Sequence, residues 1–390
     1  MARNRVIYQS EGLYVSKDAS VTGASDHEQL NRIQSANYSF TINRQDVNQF
    51  GDLARIDSLV LEPPTVSLDF SYYLTDGFNE RALGFFVETT GNAMNRGGAG
   101  TGTAEANFAS GHLTSSSGVN FYILTSPDGV DLNQAGTNGS GVALDSADHT
   151  IGIGNCYVSD YSVELAVGSL ATVNLTVEGA NMNSTLSATA DTIVSPAINQ
   201  ESGTPWTANK VALPNPTQDG GITGGTGEAP ITALRPGDVT LDLGGLGGTS
   251  LVNISGAEGA HIQSASISLP LSRSPIDRLG SRFPFAREVD FPVSATLNVS
   301  AVLANAQAAD LASILNSGVS TATITVKDAN GVPAAVYSMK GLKIDSQSFS
   351  SSIGSNKTVD MTFSTQIGGP NDTLNGVFMS GSNGVNQVFD

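Results

Sequence analysis

Cysteine is nearly missing from this chain of 390 residues, where Cys156 stands alone. One thiol cannot close an intramolecular disulfide, so no disulfide framework is expected, and Cys156 should pack as a small apolar residue. Charge is sparse at 14% of residues, and cations are sparser still: 18 Lys and Arg face 36 Asp and Glu, for a formal net charge of -18. Stable wrapping of nucleic acid needs a basic footprint, which this balance excludes. No apolar run approaches the ~18 residues of a bilayer-spanning helix. The opening MARNRVIYQSEG lacks the apolar core of a secretory signal, so no membrane insertion is expected.

Catalytic constellations are missing too. His27, His112, His149 and His261 lie in Gly-, Ser- and Asp-rich surroundings without metal-ligand spacing, and are expected at the surface. The glycine clusters at 220–227 and 244–248 lack the Lys-Ser/Thr of a phosphate loop. Turns such as Ser126–Gly129 and Asp328–Gly331 lack the ligand spacing of an EF-hand. The chain is therefore not expected to be an enzyme, nor to hold a cofactor or metal.

What the chain does have is turn chemistry and repetition. Gly is abundant at 43 residues, and little of the sequence carries helical periodicity, so a mainly β fold is expected. Residues 33–74, beginning IQSANYSFTINRQDVNQFG, align without a gap against 262–303, beginning IQSASISLPLSRSPIDRLG. Shared positions include Ile33–Ala36 with Ile262–Ala265, Arg44 with Arg273, Gly51 with Gly280, Pro63 with Pro292 and Leu74 with Leu303. A second echo joins 157–178 to 343–364 through Ser162/Ser348, Gly168/Gly354, Thr172/Thr358, Val173/Val359 and Thr176/Thr362. Both of those segments read as hairpins with a glycine in the turn.

The division that follows is an N-terminal arm (1–32), a first unit (33–179) with a loop insertion (91–149), a Gly/Pro-rich linker or arm (180–232), a second unit (233–370) and a C-terminal tail (371–390). Residues 233–261 align weakly with 4–32, so both segments are expected to supply the opening strands of their units. Presenting one surface twice is the logic of an assembly subunit rather than of an enzyme built round one cleft.

Within each unit the strands alternate. Ala36, Tyr38, Phe40 and Ile42 oppose Ser35, Asn37, Ser39 and Thr41, and Val66, Leu68, Phe70 and Tyr72 oppose Ser67, Asp69, Ser71 and Tyr73. Ile267, Leu269 and Leu271 oppose Ser266 and Ser268 in the second copy. Such alternation predicts a sheet with one buried and one wet face, and here the wet face is poor in Lys and Arg. One helix per unit is expected to close the core: Phe78–Phe86, with Asp76 as a candidate cap, and Ala306–Leu315 after Asn305. Each long inter-strand loop carries apolar residues: Val47, Phe50, Leu53 and Ile56 in the first, Ile276, Leu279, Phe283 and Phe285 in the second. These side chains either fold back on their own domain or dock into an adjacent subunit, and their presence in both copies favours docking.

The phrases TINRQDVNQFG and LEPPTVSLDFSYYLTDGFNE, with a small sheet, one helix and a long loop in each copy, resemble the major tail tube proteins of tailed bacteriophages. The resemblance covers about 33–179 and 262–367. It implies two tandem β-sandwich or barrel units, a virion protein assembled in the bacterial cytoplasm, and stacked rings that form the tube. Most members carry one such domain and form hexamers, so a two-domain chain implies a trimer with pseudo-sixfold symmetry.

The implied partners are further copies of the chain, other tail proteins such as the tape measure, terminator and sheath, and viral DNA that passes through during ejection without tight binding. The loops would reach the next ring. The channel lining would comprise Ser67, Asp69, Ser71, Glu164, Asn174 and Glu178 in the first unit, with Thr296, Asn298, Ser300, Ser350, Asp360 and Ser364 in the second. Alternative expectations are a terminator, distal tail or baseplate ring of the same fold, or a surface adhesin module.

Overall fold

The computed structural model describes residues 11–89, 106–114, 118–125, 149–186, 193–206, 209–214, 239–242, 261–303, 320–327, 333–354, 356–369 and 372–381. Strands dominate. The first part of the chain forms β1 (Glu11–Ser16), β2 (His27–Gln29), β3 (Ile33–Thr41), β4 (Arg44–Val47), β5 (Asp57–Val60), β6 (Thr65–Tyr73), α1 (Phe78–Ala82), β7 (Val87–Thr89), α2 (Ser110–Thr114), β8 (Val119–Thr125), β9 (His149–Ala166), β10 (Thr172–Gly179) and β11 (Asn181–Leu186). Four short strands follow: β12 (Ile193–Val194), β13 (Ile198–Asn199), β14 (Thr204–Pro205) and β15 (Lys210–Val211). The rest forms β16 (Val239–Asp242), β17 (His261–Pro270), β18 (Arg273–Ile276), β19 (Ala286–Val289), β20 (Val293–Val302), β21 (Ser320–Lys327), β22 (Pro333–Ser350), β23 (Thr358–Ile367) and β24 (Gly376–Gly381).

The alternating strands pair as their pattern requires. Their order is β3–β6–β10–β9, and it continues without a break into β17–β20–β23–β22. Pairing repeats position by position: Asn37 faces Asp69 as Ser266 faces Asn298, and Val163 faces Val173 as Phe349 faces Val359. The hairpins turn at Gly168 (φ 86°) and Gly354 (φ 88°), where a left-handed backbone suits glycine. β9 and β22 are each 18 residues long and pass from one sheet into another. Both change sheet at a left-handed residue, Asn155 (φ 51°) or Gly341 (φ 73°), at matching places in the repeat.

Beyond that bend β9 runs between β8 and β11, and β22 runs between β21 and β24. These second layers cover the apolar faces. Phe121 of β8 meets Phe70 of β6 at 5.8 Å between centroids, and one continuous core joins Leu68, Val163, Leu297, Ile324 and Phe363 across both halves. The apolar face is therefore closed chiefly by a second sheet, where a single helix was expected. α1 spans residues 78–82 only, and Asp76 Oδ1 accepts the Phe78 N–H at 3.2 Å beside a left-handed Gly77. The expected helix at 306–315 lies outside the described residues.

Several segments expected to be peripheral are packed. Leu13, Tyr14 and Val15 of β1 are buried against β8, so this part of the supposed N-terminal arm is a core strand. β16 lies beside β21 as β1 lies beside β8, in keeping with opening strands. The supposed loop insertion contains α2 and the wholly buried β8. Ile193, Val211 and Leu213, from the supposed linker, form a small second core with Tyr14, Tyr122 and Leu124. β24, within the supposed tail, lies between β22 and β7. β8 and β24 lack clean alternation because both their faces are covered, which erases the period-two signal. Residues 215–232 and 382–390 lie outside the description.

Candidate functional site

The eight-strand path leaves one broad face to solvent. Along it, cross-strand polar pairs recur at matching positions: Thr176 Oγ1 donates to Asp69 Oδ1 (2.8 Å), and Thr362 Oγ1 donates to Asn298 Oδ1 (3.0 Å). Hydroxyl pairs Ser35–Ser71 (2.7 Å) and Ser39–Ser67 (2.9 Å) line the β3–β6 end. Each residue expected at the channel is exposed or half-buried on this face, opposite the buried Val66, Leu68, Phe70, Leu297 and Phe363. Glu178 stands apart, because its carboxylate is 3.3 Å from the Arg287 guanidinium at the face's rim. Carboxylates of Asp69, Asp160, Glu164 and Asp360 share the face, and burial pushes Asp160 upward from its usual range. Lys343, also at a rim, pairs across to Ser364.

The two long loops are ribbons rather than irregular loops. β4 pairs with β5 and β18 with β19, and each ribbon has a left-handed glycine near its tip, Gly51 or Gly280. Their surroundings differ. On the first arm Phe50 and Leu53 are fully exposed (107% and 110%), with Val47 and Ile56 exposed beside them. On the second, Ile276, Leu279 and Phe285 are exposed, whereas Phe283 is half-buried in a pocket with Tyr157, Ala180, Ile198 and Gln200.

Arginines fix the second arm. The Arg273 guanidinium lies 4.6 Å over the Tyr157 ring and donates to the His112 carbonyl, while Arg278 donates to the Gln200 carbonyl at 3.2 Å. Arg44 matches Arg273 in the repeat, and the counterpart of Tyr157 is Lys343, which lies on β22 at the opposite end of the eight-strand path from β3. Arg273→Ala is expected to cost roughly 1–2 kcal/mol through the lost cation–π and hydrogen-bond contacts. Limited proteolysis should then cut first within 277–285, and an unchanged digestion pattern would count against the clamp.

Titratable groups lie below the wet face. Glu80 is fully buried, and its Oε1 accepts from Tyr72 (3.0 Å) and Tyr161 (3.3 Å), while Tyr161 and Tyr337 hydroxyls meet at 2.8 Å. Burial pushes Glu80 up to about 7, against the lowering effect of its hydrogen bonds. His112 is pushed down to about 3 by burial and by Arg273. His27 is likewise lowered by burial, with Nδ1 2.7 Å from the Gly23 carbonyl and its ring edge-on to Tyr122. The expectation of surface histidines thus fails for His27 and His112, because Tyr122 of β8 and Phe85 of the α1–β7 connection cover them. Burial also raises the Cys156 thiol.

Among the described residues no three His, Cys, Asp or Glu side chains gather as a metal site. What the sequence did not point to is the tyrosine–Glu80 cluster and the identity of the sheet's two end strands. Both depend on contacts between halves of the chain. The chain thus offers a cation-poor sheet face, two end strands and two unlike arms, and no protein-family model or curated protein sequence matches it.

Proposed function

We propose that this chain is the structural subunit of a phage tail tube, assembling as stacked rings around a channel that conducts DNA. The observation that carries the reading is that two matching sheet units already join edge to edge, with one common wet face poor in cations. Repeating that junction between chains would close the sheet and remove its edges. Three chains would supply six units. Serine, threonine and carboxylate side chains would then line the lumen, giving phosphates little to bind and letting duplex DNA slide. The exposed first arm would reach the adjacent ring.

Negative-stain electron microscopy of the purified protein tests this. Long hollow tubes of stacked rings are expected. Single rings that never stack would favour a terminator or another terminal ring, and protein that stays monomeric at every concentration would overturn the assembly reading.

A further inference from the structure

We infer that neighbouring copies pair β3 of one chain with the C-terminal half of β22 of the next, in the register of the β9–β17 junction. This rests on the assembly reading and adds the partner of each edge residue.

Inside the chain, Ser268 faces Ser162, Ile267 faces Val163 and Ser266 faces Glu164. β3 stands in its unit where β17 stands in the second, and the end of β22 stands where the end of β9 does. Carrying the junction over by these matches places Ser39 against Ser348, Tyr38 against Phe349 and Asn37 against Ser350. The outer edges of β3 and of the last part of β22 have no strand beside them among the described residues.

Burial supports the transfer. Leu269 and Leu271, within the internal junction, are 0% exposed, while their counterparts Phe40 and Ile42 are 60% and 38% exposed. Val163 is 0% exposed, and its counterpart Phe349 is 45% exposed. Large apolar side chains thus stand open at both ends of the sheet, at positions that are covered where the junction exists. A groove of about 370 Å³ beside β3 is lined by Phe40, Ile42, Ile151 and Met182. At the matching place in the second half, Tyr337 (the counterpart of Ile151) is covered by Phe108 from the first half.

The edges also lack the usual protection. Free edges commonly carry lysine, proline or inward charge to prevent pairing. Ile33–Thr41 and Ser346–Ser350, the stretches that would pair, contain no Lys, Arg, Asp, Glu or Pro, and Lys343 and Asp345 of β22 precede the seam. Register is fixed by alternation, since a one-residue slip would turn Phe349 onto the serine face. A cross-strand Tyr38–Phe349 pair adds a contact of the kind that stabilises sheets. These features fit a second copy as the occupant.

Paired residues in an antiparallel ladder have Cα atoms ~4.5–5.5 Å apart, within disulfide range. The test is oxidation of assembled protein carrying Ser39→Cys and Ser348→Cys, both solvent-exposed, with the native Cys156 buried. Covalent multimers on a non-reducing denaturing gel, with loss of the monomer band, are expected. Ser35→Cys with Ser348→Cys, about 13 Å out of register at ~3.3 Å per residue, should stay monomeric on the gel. Assembled particles that cross-link only in the shifted pair, or in neither, would overturn the seam and leave the assembly reading standing. Failure to assemble at all would remove both. Hydrogen exchange on the unaltered chain gives an independent readout: the Ser35–Thr41 amides should slow on assembly, and unchanged exchange in assembled particles would overturn the seam.

Discussion

Replacing Phe50 and Leu53 together by aspartate is expected to abolish tube formation while leaving the folded chain, and any single ring, intact. Both side chains are fully exposed on the first arm, so the substitutions remove no burial from the isolated chain. In the proposed stack they are the apolar residues that enter the next ring. Burying two large apolar side chains contributes roughly 1.5–3 kcal/mol each, and an unpaired carboxylate in their place reverses the sign. Because the contact repeats at every ring, its loss is multiplied along the tube. Electron microscopy should show rings without tubes, with the thermal midpoint unchanged. Normal tubes from the doubly substituted chain would remove the first arm from the stacking contact.

The second large effect concerns Glu80. Its carboxyl is held up to about 7 in the folded chain, against an ordinary value of 4.5. Below the lower value both folded and unfolded states are protonated, and the fold has its full share of stability from this group. Between 4.5 and 7 the unfolded chain ionises while the folded chain keeps its proton, so stability falls as pH rises. Above 7 the loss levels off at about 3 kcal/mol by linkage. His112, held down to about 3, works in the opposite sense: its share is lost as pH falls below 6.5.

The clean measurement is therefore a difference between chains. Glu80→Gln keeps an acceptor for Tyr72 and Tyr161 and cannot ionise. Denaturant unfolding at several pH values should show the variant gaining on the native chain steadily from pH 4.5 to 7, and by no more above that. Parallel profiles for the two proteins would show that Glu80 does not titrate in this window.

Local patterns were legible in the sequence, and long-range covering was not. The alternation read in β6 and β17 matches their burial because one face of those strands is wet. β8 has no wet face, and its run VNFYILT lies in a Gly/Ser-rich stretch that reads as loop. Glu80 lies in the segment FNERALG, where nothing local marks a charged residue as buried. It is buried because Tyr161 and Tyr337 arrive from strands far along the chain. Phe40 was read correctly as to face but not as to exposure, since β3 is an end strand and nothing local reveals that. The arms looked alike because their apolar residues do. They differ because Ile198 and Gln200, from a segment between the two units, pack against the second arm.

That inequality of arms sets the symmetry an assembled tube would display. Six sheet units round a ring would make its inner wall nearly sixfold, yet only three would carry an unclamped arm. Contacts along the axis would then repeat once per chain, and the screw operation relating one ring to the next would be defined modulo a third of a turn rather than a sixth. Averaged images of such a tube would look sixfold near the lumen and threefold at the radius of the arms.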